Sequence, residues 1–494
     1  MNRRVIVIGG GIAGLAAAHR VIELNNDKSL GLEVMLLEAS PRLGGSIATE
    51  RIDDFLVEAG PDSFVTEKPW ALRLCERLGL ASRLVSTQAA YQKIYIVHQG
   101  KLEPLPEGFF LLAPTRLWPF VQTPLFSFSG KLRMAAELLL PRGAMNDDES
   151  LGSFVRRRFG AEALERVAQP LVGGIYASDP DKLSLTATMP RFKEMEQTKR
   201  SIIWAMWSEQ RRRARHRESG SGARWSLFVT LAGGMQECVD RIARRLPEGS
   251  MRLNSPVKNV IYDQTKRIWR ISTAGKETAE ASAVILATPA PRTGEMLGSV
   301  AKDAAEELKN ISYASTATVS LAYRREDFPS KLDSFGFVVP VIEQRKIMAC
   351  TFSSLKYPGR APEGRVLLRA FIGGSLQPEL FQDDDATMEK NVREELASLL
   401  GVTAPPLFSR IWRHPNSMPQ YHVGHESRIR RIEARLAKFP ALALAGSAYR
   451  GVGIADCVRT GEDAAEKVVN QFRDSVSALR TPSLSLPRQG GDNR

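Results

Sequence analysis

Cysteine is scarce in this 494-residue chain. The four that occur form no CxxC pair and no dense framework, and they are Cys75, Cys238, Cys350 and Cys457. This pattern gives no sign of a small scaffold held together by disulfides, and we interpret the four as ordinary thiols of a reducing compartment.

Long apolar runs are also missing. The N-terminal run at residues 5 to 8 is too short for the core of a signal peptide, so we expect no secretion. The longest apolar stretch, residues 109 to 128, is broken by prolines and polar residues. It does not supply the roughly 20 apolar residues that a membrane-spanning helix needs. We therefore expect no transmembrane helix and a cytoplasmic protein.

Positive charge is in excess, with 68 lysines and arginines against 55 aspartates and glutamates, a formal charge of +13. This excess favours acidic partners, which include nucleic acid, anionic lipid and a polycarboxylate substrate. The most basic run, residues 211 to 217, has no interleaved aromatics on which bases would stack, so we expect no nucleic acid partner. We interpret residues 207 to 224 as a flexible basic loop, and an anionic membrane surface stays open as a partner.

Residues 5 to 18 predict a strand, a glycine-rich turn and a helix of small residues. Gly9, Gly11 and Gly14 have the GxGxxG spacing, which lets a backbone approach a pyrophosphate and directs a helix N-terminus at its charge. A second predicted strand, residues 32 to 37, ends at Glu38, whose carboxylate would accept hydrogen bonds from an unphosphorylated ribose. The pattern predicts a dinucleotide site, with plain tight turns of an α/β sheet as the alternative.

Two further segments indicate which dinucleotide to expect. A glycine pair at residues 44 and 45 follows Glu38, and residues 445 to 465 contain AGS, GVGIAD and a later Gly461. Together with the first motif they resemble the flavin-containing amine oxidase superfamily, which implies FAD, with NAD as the alternative, and a discontinuous Rossmann-like domain. The resemblance implies FAD contacts at Gly9, Gly11, Ile12, Ala13, Gly14, Glu38, Ala39, Gly45, Ser46, Gly60, Pro61, Asp62, Ser63, Val257, Trp412, Ser447, Val452, Gly453 and Ile454.

Other segments resemble the oxygen-dependent porphyrinogen oxidases, from Arg4 to about Val469. They are GPDSF at 60–64, PLVGGIYASD at 170–179, LAGGM at 231–235, TFSS and YPGR within 351–360, and MPQYHVGH at 418–425. The resemblance implies a six-electron oxidation of protoporphyrinogen IX or coproporphyrinogen III in haem biosynthesis. FAD and molecular oxygen would act in three two-electron rounds and yield hydrogen peroxide. Ferrochelatase, the next haem-pathway enzyme, is a further expected partner.

No residues form an obvious catalytic dyad, and this chemistry does not require one. A porphyrinogen loses hydride from an activated methylene bridge and can then release pyrrole protons, so the protein has to supply an apolar slot and cations for propionates. The resemblance places the slot at Gly174, Ile175, Phe335, Val338 and Phe371. Lys68 and Lys93 are candidate cations, although Lys93 stands where eukaryotic relatives have an arginine. Ordinary core residues and solvated lysines are the alternative.

Two other functions stay open at this point. One is an amine oxidase or carotenoid-desaturase-like flavoenzyme, and the other is an FAD-binding protein without catalysis. His414, His422 and His425 are close in sequence, but no carboxylate or cysteine completes a ligand set, so we expect no metal site. The sequence decides neither which porphyrinogen is oxidised nor the oligomeric state.

The length indicates two or three structural units. We expect an α/β architecture with a discontinuous FAD-binding domain at residues 1–90, 225–290 and 410–472. A mixed-sheet substrate domain is expected at 291–409, and a helical domain near the substrate entrance, the part that would contact a membrane, at 95–205. The tail at 473–494 is expected to be disordered.

Overall fold

The computed structural model describes residues 3–110, 113–114, 116–143, 148–217, 226–275 and 277–480. Its strands are β1 (Arg4–Ile8), β2 (Glu33–Leu37), β3 (Thr49–Ile52), β4 (Phe55–Glu58), β5 (Phe64–Val65), β6 (Leu84–Ser86), β7 (Tyr95–His98), β8 (Lys101–Pro104), β9 (Phe109–Phe110), β10 (Ala113–Pro114), β11 (Phe228–Leu231), β12 (Met251–Arg252), β13 (Val257–Asp263), β14 (Ile268–Thr273), β15 (Thr278–Ala281), β16 (Ala283–Leu286), β17 (Tyr313–Arg324), β18 (Gly336–Val338), β19 (Ala349–Phe352), β20 (Arg365–Gly373), β21 (Phe408–Pro419) and β22 (Leu442–Leu444).

Its helices are α1 (Ile12–Lys28), α2 (Pro69–Arg77), α3 (Leu117–Gln122), α4 (Phe128–Ala135), α5 (Leu151–Phe159), α6 (Ala161–Ala163), α7 (Gln169–Tyr176), α8 (Leu185–Thr188), α9 (Pro190–Lys199), α10 (Ile202–Arg217), α11 (Gln236–Ala243), α12 (Ala290–Leu297), α13 (Lys302–Lys309), α14 (Ser353–Lys356), α15 (Asp385–Leu400), α16 (His425–Leu436) and α17 (Ile454–Arg480).

A five-stranded parallel sheet of order β12–β2–β1–β16–β22 is the centre of the first body. Apart from Arg4, Glu33 and Arg252 its strands are apolar, as expected where helices and a further sheet cover both faces. Val5 and Val7 pack in a cluster with α1, α2, α11 and α17. Ile6 and Ile8 point the opposite way, into a cluster with α12, α13, α16 and the antiparallel sheet β13–β15. The carboxyl ends of β1 and β22 therefore open on one edge, where α1 and α17 begin.

A seven-stranded mixed sheet of order β21–β17–β20–β19–β18–β7–β8 forms the second body. Helix α15 covers one face, where Val392 and Leu396 pack with Val319 and Leu368. The other face meets the hairpin β3–β4 and the helical body. This second face is therefore the one that can border a site shared between bodies.

The third body consists of α3 to α10 around a core that includes Phe154, Leu164 and Ile202. Arg158 has no exposed surface and forms an ion pair with the equally buried Glu137. Glu137 in turn accepts hydrogen bonds from the Ser201 hydroxyl (2.6 Å) and the Ile202 N–H (2.8 Å), which ties the start of α10 to this body.

The predicted fold class is confirmed, and the parallel sheet collects strands from distant parts of the chain. Several predicted boundaries differ from the structure. Residues 95–104 form β7 and β8 of the mixed sheet, not helices, and residues 408–419 form its edge strand β21. Helices α12 and α13 pack on the parallel sheet, so within the predicted segment 291–409 the mixed sheet begins only at residue 313.

The basic run is helical where we expected a loop. Residues 202–217 form α10, because Ile202, Ile203, Ala205 and Met206 recur at helical spacing and are buried against the helical body. The rest of the predicted loop, residues 218–224, lies outside the described residues. Helix α17 likewise continues through the first part of the predicted tail to Arg480, and residues 481–494 lie outside the described part. No helix in the described ranges is long and apolar enough to cross a bilayer.

Candidate active site

The turn between β1 and α1 has the geometry that the glycine spacing predicts. Gly9 has φ of 109°, and a Cβ on Gly14 would stand against the Gly9 carbonyl oxygen, well inside van der Waals contact. A Cβ on Gly11 would meet no atom within 4 Å. Ile12 and Ala13 are buried behind the turn. The turn therefore packs tightly against the sheet and leaves open space above the N-terminus of α1.

Glu38 ends β2 beside this turn. Its Oε2 accepts a hydrogen bond from the Gly10 N–H at 2.5 Å, and its Oε1 accepts one from the Ser40 N–H at 2.8 Å. The Ser255 N–H donates to the Glu38 carbonyl oxygen (2.8 Å), which places the buried Val257 near the same edge. Ala39 is exposed.

The second glycine pair contacts the first turn. The Gly44 N–H donates to the Gly10 carbonyl oxygen at 2.8 Å, and a Cβ on Gly45 would lie 3.3 Å from the Gly11 Cα. Gly45 and Ser46 are exposed. Both glycine segments therefore border the same open space.

Residues 59–63 are held from the face of the mixed sheet. The Ala59 carbonyl oxygen accepts hydrogen bonds from Thr318 Oγ1 (3.0 Å) and His414 Nε2 (2.9 Å). The Gly60 carbonyl oxygen accepts one from the guanidinium of the buried Arg369. The GPDSF segment, with Pro61 partly buried, is thus fixed between two bodies.

Asp62 is the charged member of this segment. It accepts hydrogen bonds from the Ser63 hydroxyl (2.6 Å) and, through both oxygens, from Lys356 Nζ (3.0 and 3.1 Å). Burial alone would raise the pKa of Asp62, but the charges of Lys356 and Arg369 outweigh it and hold that pKa well below its usual range. Asp62 is therefore a fixed anion beneath the site.

The C-terminal glycine segment lies beside the first turn. It links β22 to α17, and both Gly446 and Gly451 have φ of 122°. Helix α17 packs directly on α1, because a Cβ on Gly461 would stand against the Ala13 carbonyl oxygen. The segment contains the predicted contact residues at its turn and at the helix start, namely Ser447, Val452, Gly453 and Ile454.

Predicted substrate and flavin residues lie in one row across the mixed sheet. The register pairs Trp412 with Thr318, Thr318 with Phe371, Phe371 with Ala349, and Ala349 with Val338. Cross-strand partners point to the same face, and Thr318 shows that this face is turned towards Ala59. The structure thus places Trp412, Phe371 and Val338 on one face of the mixed sheet, on alternate strands.

Gly174 and Ile175 lie on α7, whose helix packs near β18. A Cβ on Gly174 would meet no atom within 4 Å, and Ile175 is 46 % exposed. The Phe335 N–H donates to the Lys93 carbonyl oxygen at 3.0 Å. The next residue, Gly336, has φ of 136°. The surface of α7 at Gly174 is therefore open, as a slot for a flat molecule requires.

Both predicted cations form ion pairs in this structure. Lys68 Nζ lies 2.6 Å from the Asp456 carboxylate in the first turn of α17. Lys93 Nζ lies 2.7 Å from the Asp333 carboxylate, and its side chain is 61 % exposed. The aspartates are distant in sequence, so the pairings could not be predicted from motif spacing.

Sequence reasoning missed Arg369, Lys356, Gln420 and Tyr421. Each lies in or next to a segment already identified by resemblance, yet nothing in the local pattern gives its partner. Gln420 Nε2 donates to the Tyr176 carbonyl oxygen at the end of α7 (3.3 Å), and Tyr421 contacts the C-terminal glycine segment. These contacts depend on tertiary packing.

The residues present fit FAD. Positions Gly11, Gly174 and Gly446 have open space where a Cβ would stand, and the carboxylate of Glu38 accepts a hydrogen bond from the Gly10 N–H beside the first of them. We propose that FAD is held along this edge by the residues predicted for it, with the mixed-sheet row on the other side.

The chain is similar to known proteins over nearly its full length. The family model described as flavin containing amine oxidoreductase matches residues 12–469. A coproporphyrinogen III oxidase of Bacillus subtilis is 36 % identical over 94 % of this chain and 97 % of its own length. A protoporphyrinogen oxidase of Bos taurus is 31 % identical over 95 % of this chain and 99 % of its own length. A crystal structure from Exiguobacterium sp. 255-15 matches with a TM-score of 0.82 and 32 % identity, covering 96 % of this chain and 99 % of that one.

Proposed function

Because the chain belongs to the flavin containing amine oxidoreductase family, whose cofactor is FAD, we propose that it oxidises coproporphyrinogen III to coproporphyrin III in haem biosynthesis. The observation that carries the choice of substrate is the greater similarity to the Bacillus coproporphyrinogen III oxidase than to the bovine protoporphyrinogen oxidase. The proposal includes molecular oxygen as electron acceptor: one porphyrinogen and three oxygen molecules give one porphyrin and three hydrogen peroxide molecules.

FAD, when bound, supplies the acceptor for hydride and the route of electrons to oxygen. The protein's part is to hold and orient the macrocycle. The open surface at Gly174 admits a flat ring, and Val338 and Phe371 supply apolar walls on the facing sheet row. Such a slot excludes water from the methylene bridge that reacts and needs no strong base.

The propionates of the substrate need cations at the mouth of the slot. Lys93 is an exposed candidate, since its ion pair with Asp333 lies in solvent, where such pairs are weak and exchange partners easily. Lys68 is the second, beside Asp456 at the start of α17. Coproporphyrinogen III has two more propionates than protoporphyrinogen IX, so it would be favoured if both lysines exchange their aspartates for propionates.

The test is porphyrin fluorescence growth in air, with purified FAD-loaded protein and each porphyrinogen in parallel, against the non-enzymatic rate. We expect faster oxidation of coproporphyrinogen III and about three hydrogen peroxide molecules per porphyrin. Faster oxidation of protoporphyrinogen IX would overturn the substrate choice. No acceleration of either, together with turnover of amines, would overturn porphyrinogen oxidation itself.

The proposal also places the protein at the inner face of a membrane. Exposed apolar side chains gather on α3, α4 and the turn after α4, and we call this set the apolar patch: Trp118 (71 % exposed), Val121, Phe128 (78 %), Leu132 and Leu139 (79 %). Lys131 lies within it and donates to the Val121 carbonyl oxygen. Exposed aromatic and aliphatic side chains beside cations are typical of peripheral binding to anionic lipid.

Vesicle sedimentation tests this membrane proposal. Protein should bind vesicles that contain phosphatidylglycerol at low salt, less at high salt, and poorly to pure phosphatidylcholine. The double variant Trp118→Ser with Phe128→Ser should lose most of this binding. The matched control, Ile342→Ser with Leu407→Ser, changes two exposed apolar residues outside the patch and should bind normally. Equal binding of both variants would refute the docking role of the patch.

Transfer of the porphyrin to ferrochelatase is the last part of the proposal. Co-purification of the two proteins in the presence of coproporphyrin III, and not in its absence, would support it. If ferrochelatase does not co-purify with the oxidase when coproporphyrin III is present, direct transfer is contradicted.

A further inference from the structure

The C-terminal glycine segment, residues 446 to 453, is a turn without regular secondary structure. It leaves β22 at the carboxyl edge of the parallel sheet and enters α17. Its two glycines with φ of 122°, Gly446 and Gly451, let the chain reverse but fix nothing by themselves. Something else has to determine its shape.

One hydroxyl group bridges this turn. Tyr421 Oη donates a hydrogen bond to the Ser447 carbonyl oxygen at 2.5 Å and accepts one from the Gly451 N–H at 2.8 Å. The two partners lie on opposite arms of the turn, so a single atom sets their separation. The side chain is 1 % exposed, which protects both bonds from competition with water.

The ring that carries this hydroxyl is itself fixed. It stacks on His425, with ring centroids 4.0 Å apart and planes at 11°. His425 Nε2 donates to the Tyr449 carbonyl oxygen, inside the same turn, at 3.1 Å. Burial raises the pKa of Tyr421 well above its ordinary value, so the hydroxyl keeps its proton and stays a donor.

The backbone at Tyr421 is anchored in other bodies. The Tyr421 carbonyl oxygen accepts a hydrogen bond from the Ser184 N–H at 2.7 Å, and the Gln420 N–H donates to the Ser312 carbonyl oxygen at 2.9 Å. The turn is thus held from the helical body and the mixed sheet. It is also held from the parallel-sheet body, where the Gly446 N–H donates to Thr460 Oγ1 (3.0 Å) and Arg459 donates to the Arg450 carbonyl oxygen (2.7 Å).

We propose that Tyr421 is a positioning residue for FAD: its hydroxyl holds the backbone of Ser447 and Gly451 in the arrangement that the cofactor meets. The inference rests on the proposed assignment of this turn to the flavin. It predicts that removal of one oxygen atom loosens the turn and weakens FAD binding without unfolding the protein.

The experiment compares Tyr421→Phe with Tyr323→Phe. Tyr323 is equally buried but packs in the cluster on the α15 side of the mixed sheet, away from the turn. Apoprotein of each variant and of wild type is titrated with FAD by quenching of flavin fluorescence. We expect a Kd about tenfold higher for Tyr421→Phe, as the loss of two buried hydrogen bonds allows, and unchanged for Tyr323→Phe. Apoprotein of Tyr421→Phe should still unfold cooperatively but at a lower Tm than wild type, because two buried hydrogen bonds are lost, and the visible band of bound flavin should change only in Tyr421→Phe.

An FAD Kd for Tyr421→Phe within twofold of the Tyr323→Phe value would overturn the inference. Hydrogen exchange on wild type keeps it testable if the variant does not fold: the Gly451 amide should be protected in the FAD-loaded protein, and rapid exchange there would refute it. Neither measurement uses a porphyrinogen. Wild-type protein that fails to bind FAD would instead overturn the proposed function.

Discussion

Gly14 shows what one residue can decide at this site. Gly14→Ala places a methyl group against the Gly9 carbonyl oxygen, so the turn or α1 has to move. Overpacking of this kind costs about 1–3 kcal/mol. We expect lower Tm and a large loss of FAD affinity, measured by thermal unfolding and flavin titration. Gly275→Ala is the control, because among the described residues a Cβ there meets only the Thr273 hydroxyl, at 4.0 Å. Equal FAD affinity of both variants would contradict the close approach at this turn.

The buried carboxyl group of Glu58 should make the stability of the protein depend on pH. Burial raises its pKa from 4.5 to about 6, although the Thr49 hydroxyl (2.7 Å) and the Met235 N–H (2.8 Å) both donate to it. Because the folded-state pKa lies above the unfolded value, Glu58 favours folding fully below pH 4.5, and this contribution is lost as pH rises to about 6. The loss is about 2 kcal/mol.

Glu58→Gln removes this titration. Denaturant unfolding at pH 4.5 and pH 7 should therefore show a smaller loss of stability with rising pH in Glu58→Gln than in wild type. Glu50→Gln, at a half-exposed carboxylate of the same hairpin that lies 3.5 Å from Arg410 Nε, serves as the control and should follow wild type. If Glu58→Gln keeps the pH dependence of wild-type stability, groups other than Glu58 cause that dependence.

Sequence patterns predict the positions of the glycines at the site, but they do not predict the partners of its charged residues. The positions of Gly9, Gly11 and Gly14 follow from spacing, since the β–turn–α unit is local. The pairing of Lys68 with Asp456 joins residues almost 400 positions apart, and no local pattern predicts it. The same holds for Arg369 at the Gly60 carbonyl oxygen.

Helix α7 offers a substitution that should change substrate turnover without changing folding or FAD binding. Gly174→Val fills open space and improves helix propensity, so Tm and FAD affinity should be unchanged. The added side chain stands where a flat substrate would lie. We expect kcat/KM for coproporphyrinogen III to fall at least about tenfold, measured by porphyrin fluorescence. If Gly174→Val keeps full activity, α7 does not line the substrate slot.

Gln420 tests the end of the same helix. Gln420→Leu removes the donor to the Tyr176 carbonyl oxygen while keeping the side chain's size, and we expect a higher KM for the porphyrinogen. FAD affinity should be unaffected, because the flavin turn is held by the neighbouring Tyr421. A change in FAD Kd without a change in KM would reverse these assignments.

Element boundaries show where sequence reasoning stops. Residues 202–217 contain both the apolar spacing of a helix and a run of arginines, and the charge suggested a loop. Packing of Ile202 and Met206 against the helical body determines the helix instead. Strands β7 and β8 lie in the segment that the sequence predicts as the helical body. They are short, and β7 joins the mixed sheet by pairing with β18, which is distant in sequence, so the local pattern does not predict their position.

At the scale of the whole molecule, the FAD edge joins segments from both ends of the chain. The parallel sheet takes β1 from residues 4–8 and β22 from residues 442–444, and the row of Trp412, Phe371 and Val338 belongs to another body. A ligand bound along this edge would connect the bodies, so its binding should stabilise all of them together.

Calorimetry of apoprotein and FAD-loaded protein tests this coupling. At free FAD about 100 times its Kd, linkage gives about 2.7 kcal/mol, and the whole transition should move to higher temperature. Tyr421→Phe should show a smaller upward shift than wild type at the same FAD concentration, because its Kd is expected to be higher, while Tyr323→Phe should match wild type. Two separate transitions, of which only one moves with FAD, would show that the bodies unfold independently. In that case the cofactor site would be confined to the parallel-sheet body, and the mixed-sheet row would have no part in holding FAD.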